Sequence, residues 1–267
     1  IAETMYRLRD FAKLKKHLED YIQAYPSSSR LGRAYFYIAE ADFYMGDYEA
    51  AAKSYARCQE LGEEDLQTMA AIGLGWSYLK MNRFEEAGQI FDAFDDSVDQ
   101  ALGVMVGKAV LEAGLERYEA SLQLFDSVIQ RDAKQEYAPL AHFGRAEALY
   151  HLDRFADAII AYRTSLDKLR IFLGGKNEAR ELRDKIYYGL AWAYLKSGDY
   201  RSAQESFQKV VSQSTDKIIK LSALCQLGDA YQDAGDYKNA QATYQKFLED
   251  YPDSLYADYV QYQMGLT

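Results

Sequence analysis

Three prolines, three histidines and two cysteines are all that 267 residues contain of those types. Pro26 and Pro252 sit where helical patterns stop, and Pro139 opens one. So few breakers, with abundant Ala, Leu, Glu and Tyr, suit a chain that is helical almost throughout. His17, His142 and His151 have no spacing to each other or to a cysteine that would ligate a metal, and surface or packed histidines are the reading. No nucleophile motif and no phosphate-cradling glycine loop occurs, so no catalytic residue and no cofactor is expected. Basic residues are short as well, with a formal net charge of −10. That balance argues against a general nucleic-acid binder, which needs a basic face to displace counterions, and against an anionic membrane surface. No apolar run approaches the roughly 20 residues of a membrane span, and no targeting motif is present.

What the chain does have is a period. Leu227 to Pro252 reads Leu-Gly-Asp-Ala-Tyr, then a Gly-Asp-Tyr turn at 235–237, then Ala240, Tyr244 and Phe247 on one helical face, closed by Pro252. The turn aromatic recurs as Phe11, Tyr48, Phe84, Tyr118, Phe155, Tyr200 and Tyr237, in steps of 37, 36, 34, 37, 45 and 37. Three residues after each comes Leu14, Ala51, Ala87, Ser121, Ala158, Ala203 or Ala240. Four further on comes Leu18, Tyr55, Phe91, Phe125, Tyr162, Phe207 or Tyr244. This resembles the tetratricopeptide repeat, with its Leu-Gly-x2-Tyr, Ala-x3-Phe and Pro pattern over about 34 residues. The resemblance implies an all-α, right-handed superhelical solenoid of antiparallel helix pairs. We expect one array over residues 1–267, about six full repeats with partial repeats at both ends. Solenoid repeats touch only neighbours, so Cys58 and Cys225, more than four repeats apart, are expected to be free and buried.

Taken in order, Phe11–Tyr25 reads as a second helix without its partner, and Ile1–Tyr6 as the tail of a missing first helix. Ser28 or Ser29 is a candidate cap for the next helix. Glu63, Glu64 and Asp65 place acid where a helix macrodipole favours it; Asp92–Asp99 is an acidic loop. The repeat from Ala101 to Gln130, with Gly103, Gly107 and Gly114, is expected to pack loosely. The step of 45 marks an insertion near 171–180, and Arg163–Lys185 is locally basic. Tyr256–Thr267 reads as the start of another repeat, so the chain reads as a fragment.

In the repeat family the first helix of each pair lines the concave groove. The resemblance therefore implies a partner-binding set of Phe36, Glu40, Phe43, Trp76, Phe143, Glu147, Tyr150, Tyr188, Trp192 and Asp229. The locally basic insertion offers Lys176, Arg180 and Arg183 as a secondary patch for an acidic partner. The concave Lys, Asn and Arg that clamp a C-terminal carboxylate in some family members are not at the matching positions. The implied function is a non-enzymatic scaffold that holds a peptide or partner helix in an aromatic groove, with no nucleic-acid partner and no direct membrane insertion. The alternative is a structural or assembly protein, a homo-oligomer associating through its ends or convex face. An enzyme accessory domain is a third reading. Tyr251-Pro252-Asp253-Ser254 and Ala257–Thr267, partly echoed by Tyr21–Ser28, also resemble repeats of bacterial envelope lipoproteins of outer-membrane assembly and of the Tol-Pal-associated type. That second resemblance implies a bacterial chain and a periplasmic setting, with the cytoplasm as the alternative.

Overall fold

The computed structural model describes residues 2–61, 64–94, 101–171 and 176–267, apart from the side chains of 64, 65, 101, 171 and 176–178. The first-turn acids Glu63–Asp65, most of the acidic loop, the insertion loop 172–175 and the Lys176 side chain thus lie outside the described residues. Every described element is an α-helix or a turn, with no strand among the described residues.

The chain divides into two compact units, Ile1–Leu124 and Phe125–Thr267. The first holds α1 (Ala2–Arg7), α2 (Phe11–Ala24), α3 (Leu31–Met45), α4 (Tyr48–Glu60), α5 (Glu64–Lys80), α6 (Phe84–Asp92) and α7 (Ala101–Gly114). The division falls within the span of α8 (Tyr118–Arg131). The second unit continues with α9 (Ala138–His151), α10 (Phe155–Ile171), α11 (Lys176–Lys196), α12 (Tyr200–Gln213), α13 (Lys217–Asp233), α14 (Tyr237–Asp250) and α15 (Ala257–Leu266).

The Gly-Asp-Tyr signal makes each hairpin in two steps. Gly46, Gly198 and Gly235 end their helices in the left-handed region, at φ 85°, 79° and 74°, where a side chain would be strained. The aspartate that follows then caps the next helix. Asp47, Asp199 and Asp236 each accept a hydrogen bond from the backbone N–H three residues on, at Ala50, Ser202 and Asn239, satisfying an otherwise orphaned donor. Asn82, Glu116 and Asp153 make the same turn at φ 56°, 59° and 57° without glycine. Ser28 does not cap its helix as expected. Its hydroxyl accepts from Arg30 N–H at 3.2 Å, just before α3, whose cap residue Arg30 has no side-chain bond.

The seven in-phase positions are the core. Leu14, Ala51, Ala87, Ser121, Ala158, Ala203 and Ala240 are all fully buried at 0 % exposure, which lets paired helices approach. The large residues four positions on, from Tyr55 and Phe91 to Phe207 and Tyr244, fill the space between successive helices. Loose packing around the glycines of α7 is not what the structure has. A Cβ on Gly107 would stand 2.5 Å from the Phe91 ring, and one on Gly114 would stand 2.6 Å from Phe84. These glycines make room for rings, and Gly73 and Gly144 do so for Tyr55 and Phe125.

Candidate functional site

One rule governs the first-helix positions expected to face a groove. Five of them lie 15 residues before the large aromatic of their own repeat, giving the pairs Glu40/Tyr55, Trp76/Phe91, Glu147/Tyr162, Trp192/Phe207 and Asp229/Tyr244. In these pairs a carboxylate meets tyrosine and a tryptophan meets phenylalanine. The phenol of Tyr55 donates to Glu40, that of Tyr162 to Glu147 and that of Tyr244 to Asp229. A buried hydroxyl needs a partner, and a carboxylate on the facing helix supplies it.

These bonds change the standing of the three acids. The second oxygen of Glu40 accepts from Tyr6 at 2.6 Å, and that of Asp229 from Tyr259 at 2.8 Å. Both carboxylates are thereby engaged on both oxygens. Burial holds the Asp229 carboxyl above the usual carboxylate range, opposed by the Tyr244 and Tyr259 bonds. Burial likewise raises Glu147, against the Tyr162 bond and the charges of His151 and Lys185. Tyr55, Tyr162 and Tyr244 are pushed up, first by burial and then by their carboxylate partners.

In the second unit the expected positions converge. Phe143, Glu147 and Tyr150 on α9 and Tyr188 and Trp192 on α11 line one cleft of about 460 Å³. Tyr162 reaches between those two helices from α10, against Gly189, where a Cβ would stand 2.5 Å from the phenol oxygen. Ile219 of α13 lines the far side. The rings are half-buried, with Tyr188 and Trp192 edge-on to Phe207 and Phe143 tilted against Tyr162. The Tyr188 and Trp192 centroids lie 5.7 and 6.1 Å from Phe207, and Phe143 lies 6.1 Å from Tyr162. The Tyr188 hydroxyl is fixed by Ser222 at 2.8 Å. The result is a concave aromatic wall with Glu147 set into it.

Besides Tyr162, Gly189 and Ile219, sequence reasoning missed three basic or titratable residues of this cleft. His151, Lys185 and Lys196 also line it. They stand four after Glu147 and seven before and four after Trp192, one turn outside the stripe read as the groove. Helical spacing alone was enough to find them, because i−7 and i+4 share the face of i.

The remaining candidates lie elsewhere. Phe36 and Phe43 pack beside the Tyr55 cluster of the first unit, with Phe36 6.0 Å from Tyr55 and Phe43 5.3 Å from Tyr48. Trp76 packs half-buried against the cluster of Leu79, Phe91 and Val104. Asp229 is in the second unit but outside the cleft. Of the basic patch, Arg180 is exposed, whereas Arg183 is bonded to the buried Asp184 at 2.9 Å. Cys58 and Cys225 are both buried and stand outside any disulfide, and burial pushes the Cys225 thiol up to about 12. Among the described residues no group of three or more His, Cys, Asp or Glu is placed to hold a metal ion, and no helix is long and apolar enough to cross a membrane.

Paired helices capped at a Gly-Asp turn, with small residues buried where they cross, define a helical-repeat protein. Tetratricopeptide repeat models match residues 36–101 and 106–170, 184–216 and 222–254, and the chain belongs to the tetratricopeptide repeat superfamily, whose fold is a typical protein–protein interaction scaffold. No curated protein matches the chain. Solved structures share the fold at low identity. A chain of the APC/C hetero-tetramer Cut9–Hcn1 is 12 % identical with a TM-score of 0.74, over 98 % of this chain and 48 % of that one; this chain thus spans about half its length. A tetratricopeptide repeat protein from Parabacteroides merdae is 12 % identical with a TM-score of 0.65, over 99 % and 95 % of the two chains. PilW, a widely conserved type IV pilus biogenesis factor, is 14 % identical with a TM-score of 0.71, over 87 % and 99 %.

Proposed function

We propose that this chain is a non-enzymatic interaction module in which the cleft between α9 and α11 receives a segment of a partner protein. The observation that carries this reading is the cleft itself. Phe143, Tyr150, Tyr188 and Trp192 keep part of each ring open in one concavity of about 460 Å³. Rigid rings in a concave site give apolar contact area at low entropy cost and dominate interface energetics. Phe36, Phe43 and Trp76 stay in this reading as contacts of the first unit. Glu40 and Asp229 serve by holding tyrosines rather than by meeting the partner.

The test is selection of a displayed library of random peptides on the protein. Recovered peptides should bind Trp192→Ala more weakly by roughly 1 to 4 kcal/mol, with the helical circular-dichroism signal retained. Tyr150→Leu gives an independent reading should Trp192→Ala disturb the Phe207 contact. Unchanged binding by both folded variants overturns the cleft as the site.

Assembly through α15 is the second reading. Leu255, Tyr262 and Leu266 are 101 %, 65 % and 56 % exposed, an apolar set whose burial on self-association is favourable. Sedimentation of the protein with Tyr262→Glu against the unaltered protein tests it. A single monomeric species in both would exclude it.

A further inference from the structure

The cleft carries an asymmetry that the apolar reading does not use. On α11, Lys185, Tyr188, Gly189, Trp192 and Lys196 fall at i, i+3, i+4, i+7 and i+11, all on one stripe, and all line the cleft. The aromatic pair is thus bracketed by two lysines whose backbone positions are about 16 Å apart along the axis, at about 1.5 Å per residue. Both lysines are exposed, and neither forms an ion pair among the described residues. Elsewhere on the molecule a cation commonly stands against an acid. Lys13 meets Asp10, Lys15 meets Asp42 and Lys246 meets Asp250, as expected where acids outnumber bases 41 to 31. The one acid of the cleft, Glu147, is held by Tyr162 at the wall. Its charge reaches Lys185, but no bond joins them. The mouth of the cleft is therefore locally basic on an acidic protein.

We infer that the occupant of this cleft is an apolar segment of a partner protein flanked on both sides by acidic side chains, the apolar residues seated on Tyr188 and Trp192 and the acids paired with Lys185 and Lys196. This rests on the proposal that the cleft is the binding site and adds the chemistry of its partner. Charge complementarity argues for it. An acidic protein repels acidic partners in general, so two unpaired lysines beside half-buried rings admit an acidic segment at this place and few others. The separation also reports the occupant's conformation. Acids about 11 residues apart would fit a helix lying along α11, and acids about five apart would fit an extended strand, at roughly 3.3 Å per residue.

The experiment uses the random-peptide selection described above, with peptides about 16 residues long, enough for a helix to span both lysines. The recovered sequences should carry Asp or Glu on both sides of an aromatic or aliphatic core. Their affinity should fall about tenfold in the double variant Lys185→Gln, Lys196→Glu, with a weaker salt dependence. Both lysines are exposed, so the variant keeps its fold. Peptides that need Trp192 yet lack flanking acids, or that bind the double variant unchanged, overturn this inference and leave the cleft reading standing. Peptides indifferent to Trp192, or no recovered peptide at all, overturn both.

Discussion

Glu147 shows how one side chain can belong to the fold and to the cleft at once. It faces the cavity, yet its bond from Tyr162 is what allows a phenol to be buried between α9 and α11. The match of carboxylate with tyrosine, and of tryptophan with phenylalanine, at a fixed separation was present in the sequence. It stays invisible while first and second helices are read as separate stripes, because the bond crosses between them. Its energetic sign is a separate matter. Burial holds the Glu147 carboxyl above its ordinary value despite the tyrosine and the nearby cations, so the native state binds this proton more tightly than the unfolded chain. The stability from this group is complete below the ordinary carboxylate pKa and is lost as pH rises through the raised value. Glu147→Gln keeps an acceptor for Tyr162 and does not titrate. Its melting temperature should therefore gain on that of the unaltered protein as pH rises above the ordinary carboxylate pKa of about 4. A gap that stays constant, or moves the other way, would show that the phenol and Lys185 outweigh burial.

The hairpin turn is the element the sequence announces most plainly, and it is also where the repeats differ in quality. Gly-Asp at 46–47, 198–199 and 235–236 supplies both the left-handed residue and the cap. Gly114 stands two residues too early to serve in its repeat, and Glu116 takes the left-handed conformation at φ 59° instead. That conformation costs a non-glycine residue roughly 1 to 2 kcal/mol, partly offset by the greater freedom glycine loses on folding. Glu116 is exposed, so Glu116→Gly should raise stability by about 0.5 to 1 kcal/mol, read as a higher denaturant midpoint at unchanged slope. A lower midpoint would show that the turn is set by contacts rather than by its own dihedrals. Gly107 and Gly114 were misread in the opposite direction. Composition gives a glycine's freedom but not its neighbours, and here the neighbours are the rings of Phe91 and Phe84.

Within each unit a helix touches the helices next to it and next but one in sequence, as α3 touches α4 and α5, and α11 touches α12 and α13. Periodicity reveals such a fold well, because every stabilising contact is local and repeats. The cleft is harder to see, because it depends on what stands between repeats. Five of its residues came from the stripe, and its cations required a wider face. The same locality fixes how damage spreads. In a chain held by neighbour contacts, a buried unpaired charge destabilises its own repeat and those beside it first. Ala203 is fully buried on α12, one turn before the buried Phe207, so Ala203→Asp should cost several kcal/mol, as a carboxylate without a partner in an apolar site does. Ala51 holds the corresponding place on α4. Native-state hydrogen exchange should show α11 to α14 losing protection in Ala203→Asp while α3 and α4 keep theirs, and Ala51→Asp should give the reverse. Uniform loss across all helices in either variant would mean that the chain unfolds as one cooperative block. The nearest-neighbour account would then fail, even with every helix where the repeat pattern puts it.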